Sequence, residues 1–302
     1  MKKKYLYILS QRYSGSTLLS FLLGTHPSIS TIGERRKFYN KSLRPKLTET
    51  QECSCGETFE NCAFWSEIKE RVMQRVTEKC LETNTTEFRF FKNRKLHTAA
   101  SKIYQFGLLN HFPKAILPFS NKMEELQRFN QILVEEILKL EGNTTFLVSS
   151  KIIDQALFLS QIEAFDFYVI WLARDPRAQV FSTLKYHDWT IEFATQKWIE
   201  EMDENAHVLQ RMGIKHTFLQ YEKLCRTPEK EIQRILEFAN LDASKFSLDF
   251  RSQTQHIMGN RSMRLGKDAK IEERKDWQQK LKKSDIATIE RMTANYQEYY
   301  SV

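Results

Sequence analysis

Near the start of the chain, Ser14-Gly15-Ser16-Thr17 stands between an apolar run, Lys4–Ser10, and a second run, Leu18–Leu23, that has helical spacing. A glycine-bearing turn at a strand-to-helix junction aims backbone N–H groups at an anion, and the helix dipole adds to their field. The Ser16 and Thr17 hydroxyls offer further donors. A nucleotide triphosphatase loop reads G-x4-G-K-[ST]. Here Ser10 occupies the place of the first glycine and Ser16 that of the lysine. Such a loop suits a phosphate group but lacks the lysine and the magnesium chemistry of ATP hydrolysis. An ordinary capped helix after a strand is the plainer alternative for the same residues.

A second constellation lies in Tyr168-Val-Ile-Trp-Leu-Ala-Arg174-Asp-Pro-Arg-Ala-Gln-Val-Phe-Ser182. It puts an arginine at a strand end and a serine eight residues later in the helix that follows. Both reach one anion there, the arginine through a charge-assisted fork and the serine through its hydroxyl. Arg177 is placed one turn further on, toward solvent. Read alone, Arg-Asp-Pro is an exposed turn with a helix cap.

Three of the five cysteines crowd into Cys53-Ser-Cys55-Gly56 and Cys62. The C-x-C-x6-C spacing departs from the C-x2-C zinc knuckles, and the sequence shows no fourth ligand. Reduced structural cysteines are one reading and a metal cluster the other; a disulfide framework does not suit a cytosolic protein of this size.

The elements that must position these groups follow from the patterning. Strands are expected over Lys4–Ser10, Ile29–Ile32, Thr144–Val148, Phe167–Ala173 and His216–Gln220, and helices over Leu18–Leu23, Asp154–Ala164, Ala178–Tyr186, Ile191–Arg211 and Pro228–Asn240. That alternation predicts an α/β fold with a parallel sheet flanked by helices and crossover connections. Ligands of such sheets sit beyond the carboxyl ends of the strands. Between about residues 38 and 140 the pattern is helical (Phe64–Leu81, Arg94–Phe106, Lys122–Leu140), which reads as an insertion or lid within one domain spanning 1–302. Trp171 and Trp198 fall at core positions.

With 302 residues and 41% apolar content the chain can bury a full core. Lys+Arg exceed Asp+Glu by 46 to 38, a formal charge of +8, which favours anionic ligands. The basic clusters Lys2–Lys4, Arg35–Lys37 and Lys280–Lys283 are short and scattered, which argues against a nucleic-acid or acidic-polymer binding module. The run Tyr5–Leu9 is shorter than the ~7–15 apolar residues of a secretory signal, and no segment reaches the ~20 of a membrane helix. A cytoplasmic protein is expected, with peripheral membrane contact open to its basic face.

On these motifs the sequence resembles the PAPS-dependent sulfotransferases, nearer the bacterial and carbohydrate branches. The resemblance is firm over residues 5–34 and 144–190 and looser over 216–277. Its further echoes are His26-Pro27 before Gly33-Glu34, Val148-Ser-Ser-Lys151, Tyr221-Glu222-Lys-Leu224, His256-x2-Gly259-Asn260-Arg261-x2-Arg264 and Asp276-Trp277. The Cys53–Trp65 stretch looks like an insertion of bacterial members. The resemblance implies a P-loop nucleotide-kinase-like fold, 3′-phosphoadenosine 5′-phosphosulfate (PAPS) as donor with PAP as product, a hydroxyl or amine acceptor, and no metal in the transfer step. It places Arg12, Tyr13, Ser14, Gly15, Ser16 and Thr17 at the 5′-phosphosulfate, and Arg174 and Ser182 at the 3′-phosphate with Arg261 and Arg264.

Tyr221 is either an adenine neighbour or a core tyrosine. The family's basic residue directly before Ser-Gly is replaced by Tyr13, so Arg12 and Lys151 are both candidates for the cation at the bridging oxygen. Glu34 resembles the catalytic carboxylate, against the alternative of a surface glutamate beside Arg35-Arg36; His26 reads as a turn residue, and His187 and His111 are reserve bases. A P-loop kinase or NTPase is the competing enzyme class, disfavoured by the missing loop lysine.

Overall fold

The computed structural model of the protein describes residues 2–34, 52–76, 94–105, 120–266, 268 and 270–300. Five strands, β1 (Lys3–Ser10), β2 (Ile29–Glu34), β3 (Thr145–Ser150), β4 (Phe165–Ala173) and β5 (His216–Gln220), form one sheet in the order β2-β3-β1-β4-β5. Every neighbouring pair is parallel. β1 is the central strand, and its side chains divide between two cores: Tyr5, Tyr7 and Leu9 go to one face, Leu6 and Ile8 to the other. Burial on both faces is why it reads as an unbroken apolar run.

The helices, in chain order, are α1 (Ser16–Leu23), α2 (Ala63–Met73), α3 (Arg94–Gln105), α4 (Ser120–Glu141), α5 (Ile153–Ser160), α6 (Pro176–Leu184), α7 (Ile191–Arg211), α8 (Tyr221–Arg226), α9 (Pro228–Phe238), α10 (Arg261–Leu265), α11 (Trp277–Lys280) and α12 (Lys283–Met292); a 3-10 turn, Ala294–Tyr299, follows. Helices α1 and α9 cover the Leu6/Ile8 face through Leu19, Leu22, Ile232 and Ile235. Helices α2, α4, α5 and α7 cover the opposite face. Trp171 and Trp198 are buried there, as expected.

The described helices before β3 pack directly on the sheet. Phe129, Leu133 and Ile137 of α4 and Trp65 and Ile68 of α2 pack in the same cluster as Tyr5 and Phe146. These two helices are a layer of the core. Helix α3 ties on through Ser101 and Gln105, both of which donate to the buried Asp154 of α5. Residues 77–81 and 106, expected to be helical, lie outside the described residues. Helix α5 stops at Ser160, short of the expected Ala164, because Phe165 already enters β4 opposite Lys3 of β1. Helix α9 stops at Phe238, and Asn240 takes a left-handed backbone (φ 53) beyond it, a common way to end a helix.

β2 runs two residues beyond its expected end, so Glu34 is its last member. Its pairing with β3 shifts between Thr31 and Gly33, and Gly33 has φ +65. Met258 approaches here, its N–H donating to the Ile32 carbonyl (2.8 Å) and its carbonyl accepting from Glu34 N–H (2.9 Å). The open edge of the sheet is thereby paired with a later segment instead of being left exposed.

Two reasons confine position 33 to glycine, the left-handed backbone and a Cβ that would fall on the Met258 carbonyl oxygen. Gly142 also has φ +70 but open space around it. Gly142→Ala should therefore lose only about 1–2 kcal/mol of stability, through backbone strain, whereas Gly33→Ala should lose clearly more in chemical denaturation. Equal losses would show that the Met258 contact contributes nothing.

Candidate functional site

A cavity of about 530 Å³ opens at the carboxyl ends of the strands, and all five contribute to its wall. Arg12–Leu18 follow β1, Glu34 ends β2, Ser150–Ile152 end β3, Arg174 follows β4 and Tyr221 follows β5. The volume lies in the range of nucleotide and cofactor pockets. Five cationic side chains (Arg12, Lys151, Arg174, Lys185, Arg274) face three acidic ones (Glu34, Glu201, Asp276), so the wall favours an anion.

The turn before α1 has the expected shape. Tyr13 (φ 62) and Gly15 (φ +91) both take left-handed backbones, and no side chain caps the helix. The first-turn N–H groups of α1 are left to an incoming acceptor, as at other anion-binding helix starts. Ser14 Oγ donates to the Gln11 carbonyl (2.8 Å), bracing the turn. Thr17 Oγ1 accepts from Asn260 N–H (3.1 Å), so its hydroxyl links the loop to a late segment while Ser16 lines the cavity. The Tyr13 ring stacks on Tyr186 (5.3 Å between centroids).

Arg174 and Ser182 are brought to the same wall. The Arg174 guanidinium donates to the carbonyls of Tyr13 (2.9 Å) and Arg274 (3.2 Å), and its Nε is buried with no hydrogen-bond partner among the described residues. An orphaned buried donor on a charged group is expensive, and it points to an anionic ligand here. Ser182 Oγ donates back to Ala178 O (2.8 Å). The Tyr221 ring is pressed so close to Gly15 that a Cβ there would overlap it, lies under Arg174 (4.8 Å), and its hydroxyl donates to Glu272 O (3.0 Å). Tyr221 thus supports the loop as a buried wall residue. Arg177 is not in solvent: it pairs with Asp175 (2.6 Å) and Glu290 (2.7 Å) and stacks over Trp277 (4.6 Å), joining α6 to α11 and α12.

Lys151 and Glu34 form an ion pair (3.1 Å) on the cavity wall. Arg12 also lines the cavity and approaches His187 Nε2 (3.5 Å). Glu201 of α7, which nothing in the sequence singled out, faces the same space. Its side chain is exposed to the cavity, and partial desolvation at the wall raises its carboxyl to about 7, with the Arg12 charge opposing. In sequence it belongs to Glu200-Glu201-x2-Glu204, which reads as a solvated helix face. Arg274, which also lines the cavity, carries no sequence signal of its own, whereas its neighbours Asp276-Trp277 belong to the family resemblance.

Two expected ligand residues are not brought to the cavity. Arg261 is exposed and pairs with Glu52 (2.9 Å). Arg264 is buried and donates to the Gly259 carbonyl (3.2 Å) and to that of Glu52. Helix α10 turns Asn260 and Met263 to the cavity instead, and residues one position on point elsewhere at 3.6 residues per turn. His26 is a buried turn residue, its Nδ1 accepting from Ser28 N–H (3.1 Å) and its Nε2 on Asp242 O (3.1 Å). His187 lies outside the wall, stacked on Trp189 (4.7 Å), and His111 is outside the described residues.

A family model described as the sulfotransferase family matches residues 6–245. Among solved structures, the sulfotransferase domain from the curacin biosynthetic pathway is similar with TM-score 0.51 and 16% identity, covering 98% of this chain and 98% of that one. A sulfotransferase from Alicyclobacillus acidocaldarius gives 0.40 and 10% (99% and 96% covered). One from Mycobacterium tuberculosis H37Rv gives 0.43 and 12% (84% and 74%). No curated protein matches.

The Arg174 loop also rests on Glu222, whose Oε1 accepts from Asp175 N–H (3.1 Å). Burial pushes this carboxyl from its ordinary 4.5 up to about 7. A raised carboxyl keeps its proton in the folded state alone between those values, so its stabilising effect is complete below pH 4.5 and lost as pH rises through about 7. Glu222→Gln has no proton to lose. Across that window the variant should gain on the wild type by about 3 kcal/mol in urea unfolding. Parallel pH profiles would mean Glu222 is ionised throughout.

Proposed function

The chain belongs to the sulfotransferase family, and from that premise we propose that it transfers a sulfuryl group from PAPS to a hydroxyl or amine acceptor. The observation that carries this reading is the pairing of two anion-suited stations on one cavity wall: the uncapped start of α1 with Ser14–Thr17, and Arg174 with its orphaned Nε beside Ser182. A bisphosphorylated nucleotide bearing a sulfate has an anion for each.

The transfer is an in-line displacement at sulfur. The acceptor oxygen forms the new S–O bond, the bond from sulfur to the bridging phosphate oxygen breaks, and the electron pair stays on PAP. Catalysis then consists of positioning and of stabilising charge on the leaving oxygen. Arg12, Lys151 and the α1 amides line the wall where that charge would be met. The acceptor proton passes to a carboxylate. Glu34 is our assignment, because the Lys151 ammonium 3.1 Å away favours its ionised form. Exposed Tyr186 and Lys185 line the cavity, and the exposed Trp189, which stacks on His187 and meets Phe193 edge-on, follows in the same loop. These groups suit an acceptor with an apolar or ring-shaped part. We take the whole chain as one catalytic unit, acting in the cytoplasm; among the described residues no helix is long and apolar enough to cross a membrane.

Adenosine 3′,5′-bisphosphate should raise the melting temperature well beyond AMP or ATP, since stabilisation follows affinity for the native state. Arg174→Ala should abolish that difference, and equal shifts with all three nucleotides would remove the 3′-phosphate assignment.

Glu34→Gln should lower kcat by about 10²–10⁴-fold with little change in PAP affinity, while Glu201→Gln stays within a few-fold of wild type. The reverse pattern, with a wild-type acid limb near pH 7, would transfer the role of base to Glu201.

A further inference from the structure

Away from the cavity wall, the loop before α2 folds back on the segment that pairs with Gly33, and this brings three cysteines to one histidine. Cys53, Cys55 and Cys62 meet His256, with all four ligand atoms within 4.8 Å of one another. Cys55 Sγ lies 3.7 Å from Cys62 Sγ. His256 Nδ1 lies 3.5 Å from Cys53 Sγ and 3.2 Å from Cys62 Sγ. In a tetrahedral zinc site with Zn–S near 2.3 Å and Zn–N near 2.0–2.1 Å, sulfurs stand about 3.8 Å apart and sulfur and nitrogen about 3.6 Å apart. The Cys55–Cys62 and Cys53–His256 spacings fall at these values, the Cys62–His256 spacing is about 0.4 Å shorter and the remaining pairs lie within 4.8 Å. The residues come from up to 203 positions apart in the chain. We propose that Cys53, Cys55, Cys62 and His256 bind one structural Zn²⁺ in a closed Cys3His site.

The surroundings supply four protein ligands, of which Cys55 and His256 are half-buried. Cys53 and Cys62 are buried. The His256 ring is held by stacking on Phe64 (4.5 Å, 3° between planes), which fixes its orientation as outer-shell contacts do at metal sites. Three thiolates and a neutral imidazole on Zn²⁺ carry a net charge of −1, and the buried Arg264 guanidinium, which interacts electrostatically with Cys53, offsets it. Binding would expel the three thiol protons to solvent. No oxidant is needed, whereas a Cys55–Cys62 disulfide would need one and would leave Cys53 and His256 without a role. Fe²⁺ suits the same donors, so the metal's identity is part of the test.

The site has a consequence for the cavity. Ser54 Oγ bonds to both the Gln255 carbonyl and Ile257 N–H (2.7 Å to the latter). Two residues past His256, Met258 closes the edge of β2, and Asn260 N–H then donates to Thr17 of the anion loop. A metal here clamps the segment that braces both Glu34 and the start of α1.

The inference is tested on metal content, independently of any transfer activity. The chain purified under reducing, chelator-free conditions should contain about one zinc per molecule by elemental mass spectrometry. Cobalt substitution should give the intense visible bands of a tetrahedral thiolate site. His256→Ala and Cys62→Ser should lose the metal, whereas His256→Cys should keep it and so guard against a variant that merely misfolds. Stripping the wild type with a strong chelator should lower its melting temperature, and zinc but not magnesium should restore it. Folded wild-type protein that holds no zinc after reconstitution, or that shows a Cys55–Cys62 disulfide by intact mass under those conditions, would overturn the proposal, as would iron in place of zinc.

Discussion

The Tyr221 ring packed against Gly15 and beneath the Arg174 guanidinium is the contact on which the rest of the cavity depends. It joins the ends of β1, β4 and β5 in one stack. The left-handed backbone of Gly15 turns the chain into α1, and only a residue without a Cβ lets the ring come this close. Arg174 then reaches across to the Tyr13 carbonyl. One guanidinium therefore stacks on the support of the anion loop, bonds the loop's own backbone, and keeps a donor in reserve. A cation used in this way does not exchange for lysine, whose point charge cannot span a ring and two carbonyls together.

Charge on the wall is distributed by the same economy of contacts. Lys151 is held by Glu34, and Arg12 stands near His187 and within electrostatic reach of Glu201. The two carboxylates share a cavity but not an environment. Glu34 has an ammonium at ion-pair distance, while Glu201 is exposed to the cavity and has no ion-pair partner among the described residues. Arg177 shows the contrasting use of charge: its bonds to Asp175 and Glu290 and its stacking on Trp277 fasten α6 to the C-terminal helices.

A second framework stands behind the first. The segment from Gln255 to Asn260 touches the Cys53 loop, the edge of β2 and Thr17 in turn. Its few residues connect parts of the chain that are far apart in sequence, at a place where the sheet would otherwise present unpaired backbone. Arg261 and Arg264 belong to this framework through Glu52 and Gly259, which explains their presence near the cavity without a place on its wall.

The sequence by itself determined what is local. Alternation of apolar runs with helical patterning specified a parallel α/β sheet, because a strand buried on both faces and a helix buried on one leave different periods. The glycine turn at Ser14–Thr17 and the Arg174–Ser182 spacing were legible for the same reason: each lies within one strand–turn–helix unit, whose geometry carries over from one protein to another. Even there, the bulge at Gly33 and the end of α5 have no local signal, since they answer to Met258 and to the register of β4. Only the tertiary structure decided which side chains meet across the chain. It turned Arg261 and Arg264 away from the cavity, drew Glu201 out of an ordinary acidic helix face, and made α2 and α4 a layer of the core. It also supplied His256 as the fourth member of a group whose three cysteines alone had looked incomplete. These are contacts between residues one or two hundred positions apart, set by packing and sheet order, and no periodicity within a short window contains them.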